Sequence, residues 1–405
     1  MSFAAPSHQE SNLADSNVAP SAPAVVARGA SPSRARQRNN NFGFLRLLFA
    51  TLVIVNHSAP ILDGNSDREP LTRAFGTVSF GIVAVDGFFL ISGYLITKSF
   101  LETNSVSLYF TKRGLRILPG YFVSFWLCVL VLAPLVGAEI NVFSPSNILH
   151  FSLRSFRLTS PAVPGVFPGL PYPNLNVPMW TIAYEFRCYI MAAAFGLLGM
   201  YQARNRSLLI GLVFLLIVAN ALTLFPEYRY GIYKLTGGMQ ADVRLFSVFE
   251  TGALYFLLKD RIKLTHIGAI CAAVILYFAL FNRYTAEAAF TIFGGYLIFW
   301  FAFKIRILFL SKYDNKIDLS YGIYLYAWPI QSTIAFNFRT ISPWLLTIIS
   351  FVIACAFAFV SWILIEKPAL ELVPVLARRD RLPPKLRFWY RPAAAPPRED
   401  TRPAP

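Results

Sequence analysis

Arg46 and His57 stand in an otherwise apolar stretch, FLRLLFATLVIVNHSAP, residues 44–60. Eleven positions on a helix make three turns plus about 20°, so the two side chains project from one face, roughly 16 Å apart along the axis. Histidine is the natural proton acceptor near neutral pH, which makes His57 a candidate general base. Two carboxylates sit at a comparable depth in other apolar stretches: Asp86 in SFGIVAVDGFFLISGYLITKSF (79–100) and Glu185 in VPMWTIAYEFRCYIMAA (177–193). A charge at the centre of a spanning helix costs about 2.5–3.5 kcal/mol on insertion scales, so these groups must face one another or a water-filled chamber. The plainer role for them is to pair and hold helices together. Arg187 lies about 200° around its helix from Glu185, so these two do not pair easily. Tyr321, Tyr324 and Trp328, spaced i, i+3, i+7 in SYGIYLYAWPI (320–330), share one face, as packing or as a stacking wall for a sugar, and Pro329 kinks that helix.

The elements that must position these groups are apolar helices. The chain is 56% hydrophobic and 14% charged, which departs from the soluble norm towards membrane proteins. A spanning helix needs about 20 mainly apolar residues. About ten segments qualify: 42–62, 79–100, 118–138, 178–200, 207–225, 243–259, 265–282, 288–309, 319–338 and 344–366. Alternate loops carry Lys112, Arg113 and Arg116; Arg204 and Arg206; Lys259, Arg261 and Lys263; and Lys304, Arg306, Lys312 and Lys316. The tail adds Arg378, Arg379, Arg381, Lys385 and Arg387, on the same side as the basic end of the N-terminal arm. The positive-inside rule then puts both termini in the cytoplasm, as an even span count requires. The expected architecture is an all-α integral membrane protein, a bundle of about ten transmembrane helices with disordered termini. Its parts are a cytoplasmic arm over 1–41 without a visible signal peptide, the bundle over 42–373, and a basic, Pro-rich cytoplasmic tail over 374–405.

The net charge of +16 belongs to this topology and not to a nucleic-acid surface. Cys128, Cys188, Cys271 and Cys355 lie scattered in apolar runs, without a CxxC pair or a His cluster, and predict neither a zinc site nor a disulfide framework. The largest outer loop, about 139–177, is Pro-rich and holds His150, Arg154 and Arg157; it reads as a compact cap or as an acceptor-binding lid.

These residues also form a pattern that resembles the membrane-bound acyltransferase-3 family, whose members O-acylate cell-surface polysaccharides, lipopolysaccharide, Nod factors and related glycans. Arg46 and His57 match its Arg-x10-His pattern. VDGFFLISGYLI (85–96) is similar to the block that usually reads DLFFVLSGFLI, and YFTKRGLRILPGY (109–121) is similar to its basic block. WTIAYEFRCY (180–189) puts Glu185 on the acidic position of a further block, and SYGIYLYAWPI and IEKPALEL complete the order. The likeness covers about 42–373. Ala327 stands where the family often has His, and Lys112 replaces the first Arg of the basic block, keeping charge but losing bidentate geometry.

The resemblance implies an O-acyltransferase of the bacterial inner (cytoplasmic) membrane that moves an acyl group, acetyl by family likeness, from acyl-CoA to a hydroxyl of a cell-surface or secreted glycan. His57 would take the proton from the acceptor hydroxyl, with an acyl-His57 intermediate as an open variant. Asp86 or Glu185 would orient it, and Arg46 would guide the pantetheine arm or an acidic part of the donor. Lys112, Arg113 and Arg116 would hold the phosphates of cytoplasmic acetyl-CoA or another acyl-CoA. Trp180, Tyr184, Tyr324 and Trp328 would line the substrate site, with Trp180, Tyr184 or Tyr324 as oxyanion donor. The expected partners are the lipid bilayer, acyl-CoA and a glycan acceptor, with no nucleic acid and no metal. The other reading is a transporter or flippase for a lipid-linked sugar or polar metabolite, since buried charges also mark substrate paths.

Overall fold

The computed structural model describes residues 40–103, 105–225, 227–231, 240–305 and 317–379. The expected arm over 1–39, the tail after 379, and Arg306, Lys312, Lys316, Arg381, Lys385 and Arg387 lie outside the described residues. Among the described residues the fold is all-helical, with no strand. In chain order the helices are α1 (Phe42–Asp63), a short α2 (Pro70–Phe75), α3 (Phe80–Glu102), α4 (Val106–Leu127), α5 (Pro145–Phe156), α6 (Trp180–Leu197) and α7 (Arg206–Leu222). They continue with α8 (Gln240–Leu257), α9 (His266–Ala279), α10 (Ala286–Ala289, running through a π-helical turn into Gly295–Lys304), α11 (Ser320–Asn337) and α12 (Pro343–Ser361, running on to Arg379).

Each of the ten apolar segments expected from the sequence overlaps one of these helices. Among the described residues, six helices are long and apolar enough to cross a membrane: Phe42–Asp63, Phe80–Glu102, Val106–Leu135, Ala203–Leu222, Ala286–Lys304 and Pro343–Ala377. The other four are short or carry polar groups: α9 has 14 residues, while α6, α8 and α11 hold charged or hydroxylated side chains. Two boundaries differ from expectation. The basic block at 109–121 is not a loop: Ser105 caps α4, its side chain accepting from the Leu108 amide at 3.2 Å, and the helix then runs through Lys112, Arg113 and Arg116. At the other end, α12 continues past Pro374.

The Pro-rich segment after α4 is packed. Ser144 caps the amphipathic α5, and Phe167, Leu170 and Leu175 are buried. Its anchor is a consequence of Pro329. Proline has no amide hydrogen, so the Leu325 carbonyl one turn earlier in α11 loses its helical partner. That carbonyl instead accepts from Asn176 Nδ2 at 2.8 Å and from Ser124 Oγ of α4 at 3.2 Å. Trp328 Nε1 donates to the Asn174 carbonyl at 2.9 Å, and Arg339 donates to the carbonyls of Gly169 (2.7 Å) and Pro168 (2.8 Å).

Helices α3 and α8 touch backbone to backbone. A Cβ on Gly93 would lie 1.8 Å from the Phe249 carbonyl oxygen, and one on Gly252 would lie 2.1 Å from that of Leu90. Small residues permit this approach where apolar burial alone gives helices no reason to associate. At one end of the bundle, Asp318 lies between Arg46 of α1 (3.4 Å) and Arg116 of α4, and accepts from Ser320 Oγ at 2.6 Å. Arg116 also faces the buried Glu366 of α12 at 3.7 Å. Four segments are thus bolted by one alternating cluster. Burial alone would raise the Asp318 carboxyl, but Arg46 and Arg116 outweigh it and hold it well below the usual carboxylate range.

Two outcomes follow from this packing. Gly93→Val should exceed the about 1–3 kcal/mol of ordinary overpacking, because backbone cannot move aside; size-exclusion chromatography in detergent is expected to show loss of the monodisperse peak. A carboxyl depressed in the folded state adds stability that is present above the unfolded value of about 4 and is lost as pH falls through the folded value. Asp318→Asn is therefore expected to lower the folding stability by an amount on the order of 2 kcal/mol at neutral pH, read as a lower melting temperature, with the difference narrowing only below about pH 4.

Candidate active site

His57 and Arg46 stand at the two ends of one face of α1, and each borders a different cavity. The Arg46 cavity is narrow, about 140 Å³, and is lined by Arg113 and Arg116 of α4, Glu185 of α6, and Tyr189, Tyr321 and Tyr324. The His57 cavity is larger, about 660 Å³, and is lined by Asn56, Trp180, Arg244, Glu287 and Tyr324. Val85 and Tyr324 border both, so the two chambers meet at one wall. Tyr324 is fixed there: its hydroxyl lies 2.7 Å from the Pro178 carbonyl and 2.6 Å from Thr181 Oγ1, and Phe88 packs edge-on against its ring.

The His57 ring packs edge-on against Trp328, with centroids 4.8 Å apart. Its Nδ1 is buried, the ring lies beside the backbone of Val53 one turn earlier, and the residue borders the wide chamber. Trp328 is itself held by Asn174, so the segment that satisfies the Leu325 carbonyl of α11 also sets the imidazole plane.

The residues singled out in the sequence divide between the chambers. Arg46, Arg113, Arg116 and Glu185 gather at the narrow one, His57 and Trp180 at the wide one, with Tyr324 between. Four others border neither. Lys112 donates to Thr103 Oγ1 at 3.1 Å. Tyr184 is buried between the Trp180 ring (5.2 Å) and the Arg187 guanidinium (4.9 Å). Trp328 backs His57, and Asp86 is wholly buried behind Arg244, 3.2 Å from its guanidinium. Neither expected carboxylate is paired with His57. Glu185 accepts from the Tyr189 hydroxyl at 2.5 Å and lies on the cationic side of the wall. Arg187 avoids Glu185, as its helical angle requires, and pairs with Asp242 at 2.8 Å.

Sequence reasoning missed Arg244, Glu287 and Asp318. Arg244 carried a visible signal, a cation inside an apolar helix, but Glu287 and Asp318 sit at helix starts, where a charge is ordinary.

Comparison with known proteins identifies the family. An acyltransferase-domain family matches residues 39–367. Nodulation protein 10 of Rhizobium leguminosarum bv. viciae is 28% identical over 376 residues, 87% of this chain and 99% of that protein. The O-acetyl transferase of Shigella phage Sf6 is 24% identical, over 82% of this chain and 96% of its own. The peptidoglycan O-acetyltransferase OatA of Listeria monocytogenes is 26% identical, over 63% of this chain and 46% of its own. No solved structure matches. With the family match running through nearly all of the bundle, the chain belongs to the membrane-bound acyltransferase-3 family and is an O-acyltransferase.

Proposed function

We propose that this protein moves an acetyl group from acetyl-CoA to a hydroxyl of a cell-surface or secreted glycan. The observation that carries the reading is the pair of chambers with one wall in common, one cationic and one holding His57. Acyl-CoA is an anionic thioester with a long thin arm; Arg113 and Arg116 suit its phosphates and Arg46 suits the arm's approach along α1. The wide chamber suits a polyhydroxylated acceptor. The names of the relatives, an O-acetyl transferase and a peptidoglycan O-acetyltransferase, support acetyl as the group and a glycan as the acceptor.

A proton on Nδ1 leaves the Nε2 lone pair free for the chemistry. Nε2 takes the proton of the acceptor hydroxyl as its oxygen attacks the thioester carbonyl. The C–S bond of the tetrahedral intermediate then breaks, and the imidazolium returns its proton to the departing thiolate. The Tyr324 hydroxyl, at the wall between donor and acceptor, would donate to the developing oxyanion by giving up its bond to the Pro178 carbonyl. Asp86 serves at one remove, by fixing Arg244. In the membrane we read the chain as about ten spans with both termini cytoplasmic, the acyl-CoA end of the bundle facing the cytoplasm of the bacterial inner membrane.

His57→Ala, shown folded by an unchanged elution profile, is expected to lower acetyl transfer by purified protein by about 10²-fold or more; retention of activity within a few-fold rules the mechanism out. Arg113→Gln keeps the Asp318 cluster intact. It should raise the apparent KM for acetyl-CoA about tenfold, with little change in kcat, in a radiolabelled-acetyl transfer assay.

A further inference from the structure

The wide chamber holds a polar pair that the proton-transfer scheme does not use. Glu287, in the first turn of α10, accepts from Asn220 Nδ2 of α7 on one oxygen, Oε2, at 2.9 Å. Its other oxygen, Oε1, lies 3.8 Å from Arg244 Nη1, too far for a hydrogen bond. Both side chains border the chamber, at 17% and 13% exposure. Arg244 is clamped from behind by the wholly buried Asp86. The carboxylate and guanidinium are thus fixed in place, yet each keeps hydrogen-bonding capacity towards the cavity.

Charge separates this chamber from its neighbour. The narrow cavity is lined by Arg46, Arg113 and Arg116 against one carboxylate, Glu185. The wide one has Arg244 as its one lining cation among the described residues, and that charge already faces two carboxylates, Asp86 and Glu287. An acidic ligand in the wide chamber would meet the Glu287 carboxylate with no uncommitted cation to offset it, because Arg244 is already held by Asp86 from behind. A neutral ring would not. Trp180, 36% exposed, adds an aromatic surface to the same chamber, and Asn56 adds an amide whose oxygen is taken by the Gly81 amide at 2.9 Å.

Resting on the acyl-transfer reading above, we propose that Glu287 and Arg244 are the acceptor-binding pair of the His57 chamber, and that they select an uncharged sugar over an acidic one. Glu287 Oε1 accepts from one hydroxyl, Arg244 donates to the neighbouring oxygen, and Trp180 covers the ring's apolar face. The pair binds and orients; it takes no part in proton transfer.

The test follows acetyl-CoA turnover by purified protein while two probes are titrated, a neutral N-acetylglucosamine pentamer and a tetramer of galacturonic acid. The neutral probe is expected to raise turnover and the acidic one to leave it near the acceptor-free rate. Glu287→Gln should raise the half-saturating concentration of the neutral probe about tenfold, leave the KM for acetyl-CoA in acceptor-free hydrolysis unchanged, and narrow the preference against the acidic probe. Trp180→Ala, at a partly exposed position, should weaken the neutral probe without narrowing that preference. A wild type indifferent to the neutral probe, or equally responsive to both, overturns the proposal, as does an unaltered half-saturation in a folded Glu287→Gln protein. A wild type that neither hydrolyses nor transfers acetyl from acetyl-CoA fails at the donor step; that sinks the acyl-transfer reading itself, and the acceptor proposal with it.

Discussion

Pro329 removes one amide from the middle of α11, and much of the site is arranged around the carbonyl this leaves on Leu325. A polar backbone group in an apolar bundle must find a partner within the protein. Asn176 and Ser124 supply it, and in doing so draw the Pro-rich segment and α4 onto the middle of α11. That segment leads directly into Trp180 and α6, and its Asn174 carbonyl takes the indole of Trp328, whose ring fixes His57. Tyr324, one residue before the orphan carbonyl, becomes the wall between the chambers. A single missing hydrogen bond therefore links the cap, the aromatic face of α11 and the orientation of the imidazole.

The charges obey the same demand at greater cost. Three carboxylates in and behind the site are each met by an opposite charge or a hydroxyl: Asp318 by two arginines, Asp86 by Arg244, Glu185 by Tyr189. Pairing could have left a bundle that is only held together. What makes it chemically useful is that the charges lining the two cavities differ on the two sides of Tyr324. Three arginines against one carboxylate line the cavity where an anionic thioester fits, and one arginine against one carboxylate line the cavity where the histidine waits. Such an arrangement favours different molecules in the two chambers, which a reaction between a charged donor and a neutral acceptor requires.

Asp86 shows how sequence position and spatial role part company. It occupies a recurrent block, lies in an apolar helix and sits at the depth of His57, all of which suggest a direct partnership. In the fold it is one layer behind, and its contact is a guanidinium from a helix more than 150 positions later. Glu185 was legible as a group that must face inward, and it does, but into the other chamber. Depth along a helix can be read by counting residues. Azimuth relative to a neighbour cannot, because it depends on how helices are rotated and packed, and small residues such as Gly93 and Gly252 decide that locally.

Read alone, the sequence determined what local chemistry controls: the helical class, the ten apolar segments, the common face of Arg46 and His57, the amide missing at Pro329 and the family pattern. Each depends on periodicity, composition or the stereochemistry of one residue and its close neighbours. The tertiary structure alone decided that Arg46 and His57 border separate chambers, that Tyr324 lies between these, that Arg244 and Glu287 line the same chamber as His57, and that Asp318 ties Arg46 to Arg116. These are meetings of residues from separate helices, and the free energies that select them come from packing and charge pairing across the bundle, which no short window of sequence contains.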